Sequence, residues 1–128
     1  MAISCGVKKV ACLSTDKAVY PVSAMGLTKS YMEKIALQKA RAQSTTQFCV
    51  TRFCNLIESS GSVVPLFINQ IKQGKKLTVT DPEMTRYMMT IDEAMDLVEK
   101  TLVEGNNGEV FIKRAKSCRI GDLATAVW

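Results

Sequence analysis

Histidine is absent from this 128-residue chain. Its absence removes the commonest general base near neutral pH and the commonest zinc ligand. Five cysteines are present (Cys5, Cys12, Cys49, Cys54 and Cys118), but no two form a CxxC pair, so no metal site is expected. Cys12 and Cys49 fall in apolar, strand-like runs, where cysteine acts as a small buried hydrophobe. Reduced thiols suit a cytoplasmic protein. No apolar run approaches the ~20 residues that span a bilayer. The N-terminal MAISCGVKKV has no long apolar segment ahead of a small-residue cleavage site. A cytoplasmic location without a membrane partner is therefore expected. Aromatic residues make up only 6% and are scattered, which leaves no stacking platform for single-stranded nucleic acid. The net charge of +5 is spread along the chain. No nucleic-acid partner is expected, whereas a diffuse positive field suits a small anionic ligand such as a nucleotide diphosphate.

The remaining composition, 47% hydrophobic and 23% charged, is that of a globular protein with at most one core. VKKVACLST, starting at Val7, is apolar and β-branched before it turns small and polar, as a buried parallel strand does at its carboxyl end. YPVSAMG forms a turn. LTKSYMEKIALQKARAQS then places Leu27, Tyr31, Ile35 and Leu37 on one broad side of an amphipathic helix. QFCVTRFCNLI supplies a second strand, parallel to the first as in any βαβ unit. ESSGSVVPLFINQIKQGKK reads as a loop and an apolar helix ending at Gly74, and LTVT as a short strand. DPEMTRYMM starts as a turn, because Pro82 disfavours helix at Asp81. Thr90 and Glu93 have capping-box spacing at the head of IDEAMDLVEKTLVEG, EVFIK is a last strand, and IGDLATAV opens a last helix. Met1 to Gly6 read as the tail of a helix, and both ends are abrupt, as in an excerpt from a larger α/β protein.

Thr15, Asp16 and Lys17 stand at the carboxyl end of the first predicted strand, where open α/β sheets place their ligands. An adjacent acid and amine there can give and take protons. Lys29, one helical turn beyond Met25, projects near the same edge.

Three stretches, STDKAVYPVSAMGLTK, VTRFCNLIESSGSVVPLF and LTVTDPEMTRYMMTIDEAMDLV, follow in this order. Together they resemble the extended short-chain dehydrogenase/reductase family. Within it the match is to the nucleotide-sugar 4,6-dehydratases of polysaccharide biosynthesis, in particular the capsule-type UDP-N-acetylglucosamine enzymes that also invert C5. The resemblance runs from about Val7 to Leu123. It implies a partial Rossmann-like parallel sheet, the second half of the family's α/β fold, over a single partial domain 1–128. Residues 7–40 would be its catalytic segment and residues 48–123 its nucleotide-sugar segment.

The resemblance further implies NAD or NADP as cofactor and a UDP-sugar as substrate. A hydride leaves sugar C4, water is lost across C5 and C6, and the hydride returns to C6. Thr15 would hydrogen-bond the 4-hydroxyl and also lie against the cofactor, Asp16 would protonate the departing 6-hydroxyl, and Lys17 would take the C5 proton. Lys29 would hold the nicotinamide ribose. Met25 occupies the place of the family's tyrosine, as in the capsule-type branch, so the 4-hydroxyl proton must leave through Thr15 and water or through Lys17. Asn55 and Arg86 match diphosphate-binding positions, Arg86 with forked donors suited to that task. Val64 and Pro65 match the nucleotide pocket and Val79 the uracil end.

Departures from the family are also visible. No GxxGxxG turn, which would hold the cofactor pyrophosphate against a helix N-terminus, occurs in the 128 residues. Cys54 stands where glycine is usual, Ser60 where arginine is, and Ser23 where asparagine is. The expected function is thus a dehydratase piece with the substrate half of the site, inactive as a lone chain. The alternative is a non-catalytic nucleotide-sugar-binding or docking module, as a homo-oligomer or on full-length homologues.

Overall fold

A computed structural model describes residues 1–42, 45–57, 59 and 61–128. The end of the first predicted helix (Gln43, Ser44) and the loop positions Glu58 and Ser60 lie outside the described residues, so the Ser60 departure has no structural account. The chain divides into two compact units, residues 1–54 with 92–113, and residues 55–91 with 114–128.

The first unit is built on a parallel three-stranded sheet. Its strands are β1 (Lys9–Thr15), β2 (Gln47–Phe53) and β5 (Val110–Ile112), in the order β1-β2-β5. The βαβ unit is present, with Lys9 paired to Gln47 and Thr15 to Phe53. Strand β2 lies in the middle, and Cys49, Val50 and Thr51 on it are fully buried. Two helices belong to this unit, α1 (Ala24–Ala42) and, from Asp92 onward, α3 (Ile91–Glu104). The Thr51 hydroxyl donates to Thr101 Oγ1 at 3.0 Å, and Thr101 in turn donates to the Leu97 carbonyl at 2.6 Å, so the polar groups buried between β2 and α3 are satisfied. Gly105 ends α3 where a Cβ would meet the Thr101 carbonyl oxygen and lie 2.9 Å from Cys49 Sγ, so no larger residue fits there.

Helix α1 departs from the expected burial. Leu27, Tyr31 and Ile35 are exposed, while Gly26, Glu33, Ala36 and Ala40 face the sheet. Small side chains let the helix backbone approach the strands closely, and that approach decides which face is buried. The apolar stripe at i, i+4 and i+8 was the weaker signal here.

The second unit holds β3 (Asn55–Leu56), α2 (Val63–Lys72), β4 (Thr85–Met89), β6 (Lys116–Arg119) and α4 (Ile120–Val127). Its sheet order is β3-β4-β6, parallel between β3 and β4 and antiparallel between β4 and β6. Helix α2 ends with Gly74 at φ 65°, its amide donating to Ile71 and that of Lys75 to Gln70, a left-handed cap that satisfies the last carbonyls. Phe67 and Met89 are buried at 0% and 2% exposure, each contributing about 2–3 kcal/mol.

Two expectations are corrected in this unit. LTVT (77–80) is irregular and not a strand, because Thr78 is held by a side chain: its amide donates to Gln70 Oε1 at 3.1 Å, and Gln70 Nε2 donates to Thr78 Oγ1 at 2.9 Å. The strand lies instead in TRYMM, after the Asp81–Glu83 turn, and pairs with KSCR, which the sequence reading left unassigned. In the first unit, Met1 to Gly6 have the hydrogen bonds of a helix end, as expected: Cys5 N donates to Met1 O, and Gly6 at φ 67° closes the turn with Gly6 N to Ile3 O and Val7 N to Ala2 O.

Candidate active site

In the first unit the carboxyl end of β1 runs into a single 3-10 turn, Asp16–Ala18. Asp16 Oδ1 accepts from Thr15 Oγ1 at 2.9 Å and from Lys17 Nζ at 3.2 Å. Thr15 also accepts the Lys17 amide at 3.4 Å, which folds the three residues onto one another. The Asp16 and Lys17 side chains keep 39% and 45% exposure, so both are available to a ligand.

Helix α1 is fitted against this turn. Ser23 accepts the Gly26 amide at 3.1 Å, the hydrogen bond of an N-cap residue, so serine does here what asparagine would do. At Gly26 a Cβ would sit 2.7 Å from the Lys17 carbonyl oxygen and 3.3 Å from Pro21 Cα. Glycine therefore permits the contact between helix and turn. Met25, 47% exposed, stands beside it, and one turn on Lys29 donates to the Leu13 carbonyl at 2.9 Å. An ammonium has three hydrogens, so that bond leaves Lys29 with capacity for a further acceptor.

Behind the turn lies a network that the motif reading missed. Glu33, 5% exposed, accepts from Ser14 Oγ at 2.5 Å and from Arg52 through Nε at 2.9 Å and Nη2 at 2.6 Å. Burial alone would push the Glu33 carboxyl up, but hydrogen bonds from Arg52 and Ser14 and the Arg52 charge outweigh it and hold the carboxyl below its ordinary value. The hydrogen bonds to Glu33 raise Arg52 in turn, against the effect of its burial. Ser14 and Arg52 face each other in the β1–β2 register, and Ser14 immediately precedes Thr15. A charged residue at Glu33, inside the small-residue stripe of Gly26, Ala36 and Ala40, was the signal available. Cys54, in place of the family's glycine, is partly buried; burial pushes its thiol up, and the neighbouring Asp16 charge adds to that.

The second unit carries a groove of about 500 Å³. Asn55, Val64 and Arg86 all line it, so the structure brings together three of the five expected substrate residues. Pro65 and Val79 are half-buried outside its wall, although Thr78 and Thr80 on either side of Val79 belong to it. Asn55 Nδ2 donates to the Tyr87 carbonyl at 2.8 Å, and Arg86 Nη1 donates to the Thr85 carbonyl at 2.9 Å. Met84, the residue before β4, and Met88, on the same face of β4 as Arg86, form its apolar floor; neither was expected. Ser62 lines it as well, at the head of α2, and its buried Oγ has no partner among the described residues.

Among the described residues no group of three or more His, Cys, Asp or Glu is placed to hold a metal ion, and no helix is long and apolar enough to cross a membrane.

A profile of the family described as "Polysaccharide biosynthesis protein" matches residues 1–128. The chain belongs to this family. A relative from Rickettsia rickettsii, named UDP-glucose 4-epimerase, is 52% identical over 98% of the chain and 38% of its own length. The chain thus spans about two-fifths of the curated relatives it matches. Among solved structures, Pen from Bacillus thuringiensis superposes with a TM-score of 0.92 at 38% identity, covering 98% of this chain and 39% of that one. A dTDP-glucose 4,6-dehydratase from Bacillus anthracis, solved with NAD, gives a TM-score of 0.88 at 18% identity over 98% of this chain and 47% of its own, a likeness of fold. The fold is the expected one, an α/β chain with a Rossmann-like parallel sheet, and it is shared with the solved dTDP-glucose 4,6-dehydratases.

Proposed function

We propose that the chain is the proton-transfer and nucleotide-sugar part of a UDP-N-acetylglucosamine 4,6-dehydratase of the C5-inverting type. The observation that carries this reading is the hydrogen-bonded Thr15–Asp16–Lys17 turn, with methionine and not a phenol at position 25. Loss of water across C5 and C6 needs a base at one carbon and an acid at the other. An Asp16–Lys17 ion pair and its neutral tautomer differ by one proton moved across the 3.2 Å contact, and the neutral tautomer holds both groups. Lys17 takes the C5 proton while Asp16 gives its own to the departing 6-hydroxyl, which leaves as water. Transfer from the Lys17 ammonium to the Asp16 carboxylate then restores the acid. Thr15 holds the 4-hydroxyl.

NAD or NADP, when bound, supplies hydride transfer to and from the sugar. Of the groups present, Lys29 fits the nicotinamide ribose, since its ammonium is anchored at the end of β1 with donors to spare, and Thr15 lies at the same strand end. No glycine-rich turn for the pyrophosphate occurs in the sequence, so binding of the dinucleotide by this chain alone is expected to be negligible. In the second unit Asn55 and Arg86 take the diphosphate, and Val64, with Pro65 and Val79 behind the wall, the nucleoside.

Titration calorimetry tests the reading. Saturable binding of UDP-N-acetylglucosamine with no heat from NAD or NADP is expected; absence of sugar-nucleotide binding, or tight dinucleotide binding, would refute it. The name of the Rickettsia relatives, UDP-glucose 4-epimerase, favours a second reading, a 4-epimerase. That reaction needs no acid for a 6-hydroxyl. Mass spectrometry of the product formed by a longer protein containing this chain separates the two, since the dehydratase product lacks one water and the epimer has the mass of its substrate.

A further inference from the structure

The nucleotide-sugar reading of the second unit leaves one cation of the same sheet face unused. The strand register places Asn55 against Met88, and Met88 against Lys116, so these three residues form one row across β3, β4 and β6. Residues directly opposite in a sheet share a face, and alternate residues along a strand return to it. Arg86 and Met88 of β4 line the groove, as do Met84 directly before β4 and Ile120 directly after β6. Lys116 and Cys118 therefore stand on the groove side, Lys116 beside Met88 and Cys118 beside Arg86.

Charge singles Lys116 out. Arg119 on the same strand pairs with Glu83 at 3.3 Å, and Lys113 of the first unit pairs with Glu93 at 3.1 Å. Lys116 is exposed, with no carboxylate within salt-bridge distance among the described residues, and Arg86 likewise donates only to a backbone carbonyl. Diagonal neighbours in an antiparallel pair lie about 7–8 Å apart, within joint reach of two long cationic side chains. The carboxylate that lines the groove, Asp81, is at the other end: its carbonyl accepts the Met84 amide, and Met84 accepts from Ile120. Among the described residues the groove is thus polarised, with the Asp81 carboxylate at its Met84 end, and Arg86 with the Asn55 amide toward its Met88 end, where Lys116 stands beside Met88, one strand beyond the lining.

We infer that Lys116 is a specificity-determining residue whose ammonium, with Arg86 and Asn55 around Met88, selects a diphosphate over a monophosphate. This rests on the nucleotide-sugar reading above. Arg86 alone can engage one phosphoryl group with its fork; a second phosphoryl group gains from a second charge one row away.

The test is calorimetric titration of the wild-type chain, Lys116→Gln, Arg86→Gln and the net-charge control Lys34→Gln with UDP, UMP and uridine. Lys34 is an exposed residue of α1 in the other unit. Lys116→Gln is expected to weaken UDP about tenfold, the scale of one charge-assisted hydrogen bond at a partly exposed site. UMP should weaken less than threefold and uridine should be unchanged, while Lys34→Gln alters none of them. An unchanged UDP/UMP ratio in Lys116→Gln, with UDP lost in Arg86→Gln, would overturn the role of Lys116 and leave the nucleotide-sugar reading standing. Failure of the wild-type chain to bind UDP or uridine would overturn both.

Discussion

Replacing Glu33 by alanine removes the carboxylate that satisfies both Ser14 and Arg52. Breaking one partner of a buried ion pair costs about 3–5 kcal/mol, because the other charge is left without compensation. The Arg52 side chain keeps 22% exposure against 6% for Glu33, so it can partly rehydrate, and the lower end, about 3 kcal/mol, applies. That is a large share of the ~5–15 kcal/mol that holds a domain folded. In urea, with a slope of about 2 kcal/mol/M, the midpoint should fall by about 1.5 M at unchanged slope. Circular dichroism during urea titration at neutral pH measures it. The triple change Ser14→Ala, Glu33→Met and Arg52→Met, which removes the whole polar group, should recover to within about 1 kcal/mol of wild type. The pH dependence follows from the lowered carboxyl. A carboxyl depressed in the folded chain stabilises fully above its ordinary value of 4.5, and the contribution is lost as pH falls through the lower folded value. Wild type should therefore show an acid-side loss of stability that Glu33→Gln lacks. A midpoint shift below about 0.3 M for Glu33→Ala would show that the carboxylate is not buried in a paired state, and the argument from this network would fail.

Gly26→Ala puts a methyl group 2.7 Å from the Lys17 carbonyl. Alanine is the better helix former by about 1 kcal/mol, yet thermal melts should show a net loss of about 1–2 kcal/mol, since backbone must yield; a gain would mean that α1 does not press on the Asp16–Ala18 turn. Gln70→Ala removes both bonds to Thr78, and hydrogen exchange at the Thr78 amide should accelerate at least tenfold with little change in α2. Gly74→Ala forces an L side chain to φ 65° and should cost about 1 kcal/mol in a urea titration, whereas Gly74→Asn should cost less. Met25→Tyr places a larger ring at a position that is 47% exposed, and stability should stay within about 0.5 kcal/mol of wild type. A larger loss there would show that Met25 is held by packing.

Strand–helix–strand order and parallel pairing were legible because β1 and β2 are long apolar runs with one helix between them. The Thr15–Lys17 turn was legible as a motif at a strand end. Three things were hidden for physical reasons. The buried face of α1 is made of small residues, whose contribution comes from close approach and not from side-chain hydrophobicity, so a hydrophobic stripe pointed to the wrong side. The Ser14–Glu33–Arg52 network joins residues 19 positions apart twice over, a spacing that no local pattern shows. Strand β4 lies in TRYMM, whose Arg86 and Tyr87 are exposed, while the apolar LTVT is drawn into irregular structure by Gln70. Side-chain capture of backbone competes with strand pairing, and here it prevails.

The two supports of α1 bear on how a site without a phenol can be arranged. Lys29 ties the helix to the Leu13 carbonyl, and Glu33, one turn on, ties it to Ser14. Consecutive residues of β1 are thus gripped by consecutive turns of one helix, and the next three residues of the chain are Thr15, which ends the strand, and Asp16 and Lys17 of the 3-10 turn. A phenol on the helix would place proton transfer on α1 itself. With Met25 there, the helix has no proton to give at that position, and its task reduces to holding the strand end. On the proposed reading proton transfer falls to the strand side, where one carboxylate oxygen accepts from both a hydroxyl and an ammonium. On that reading, the substitution at position 25 moves the acid–base chemistry to the strand end instead of abolishing it, and Glu33 matters because it holds Ser14, the residue just before Thr15.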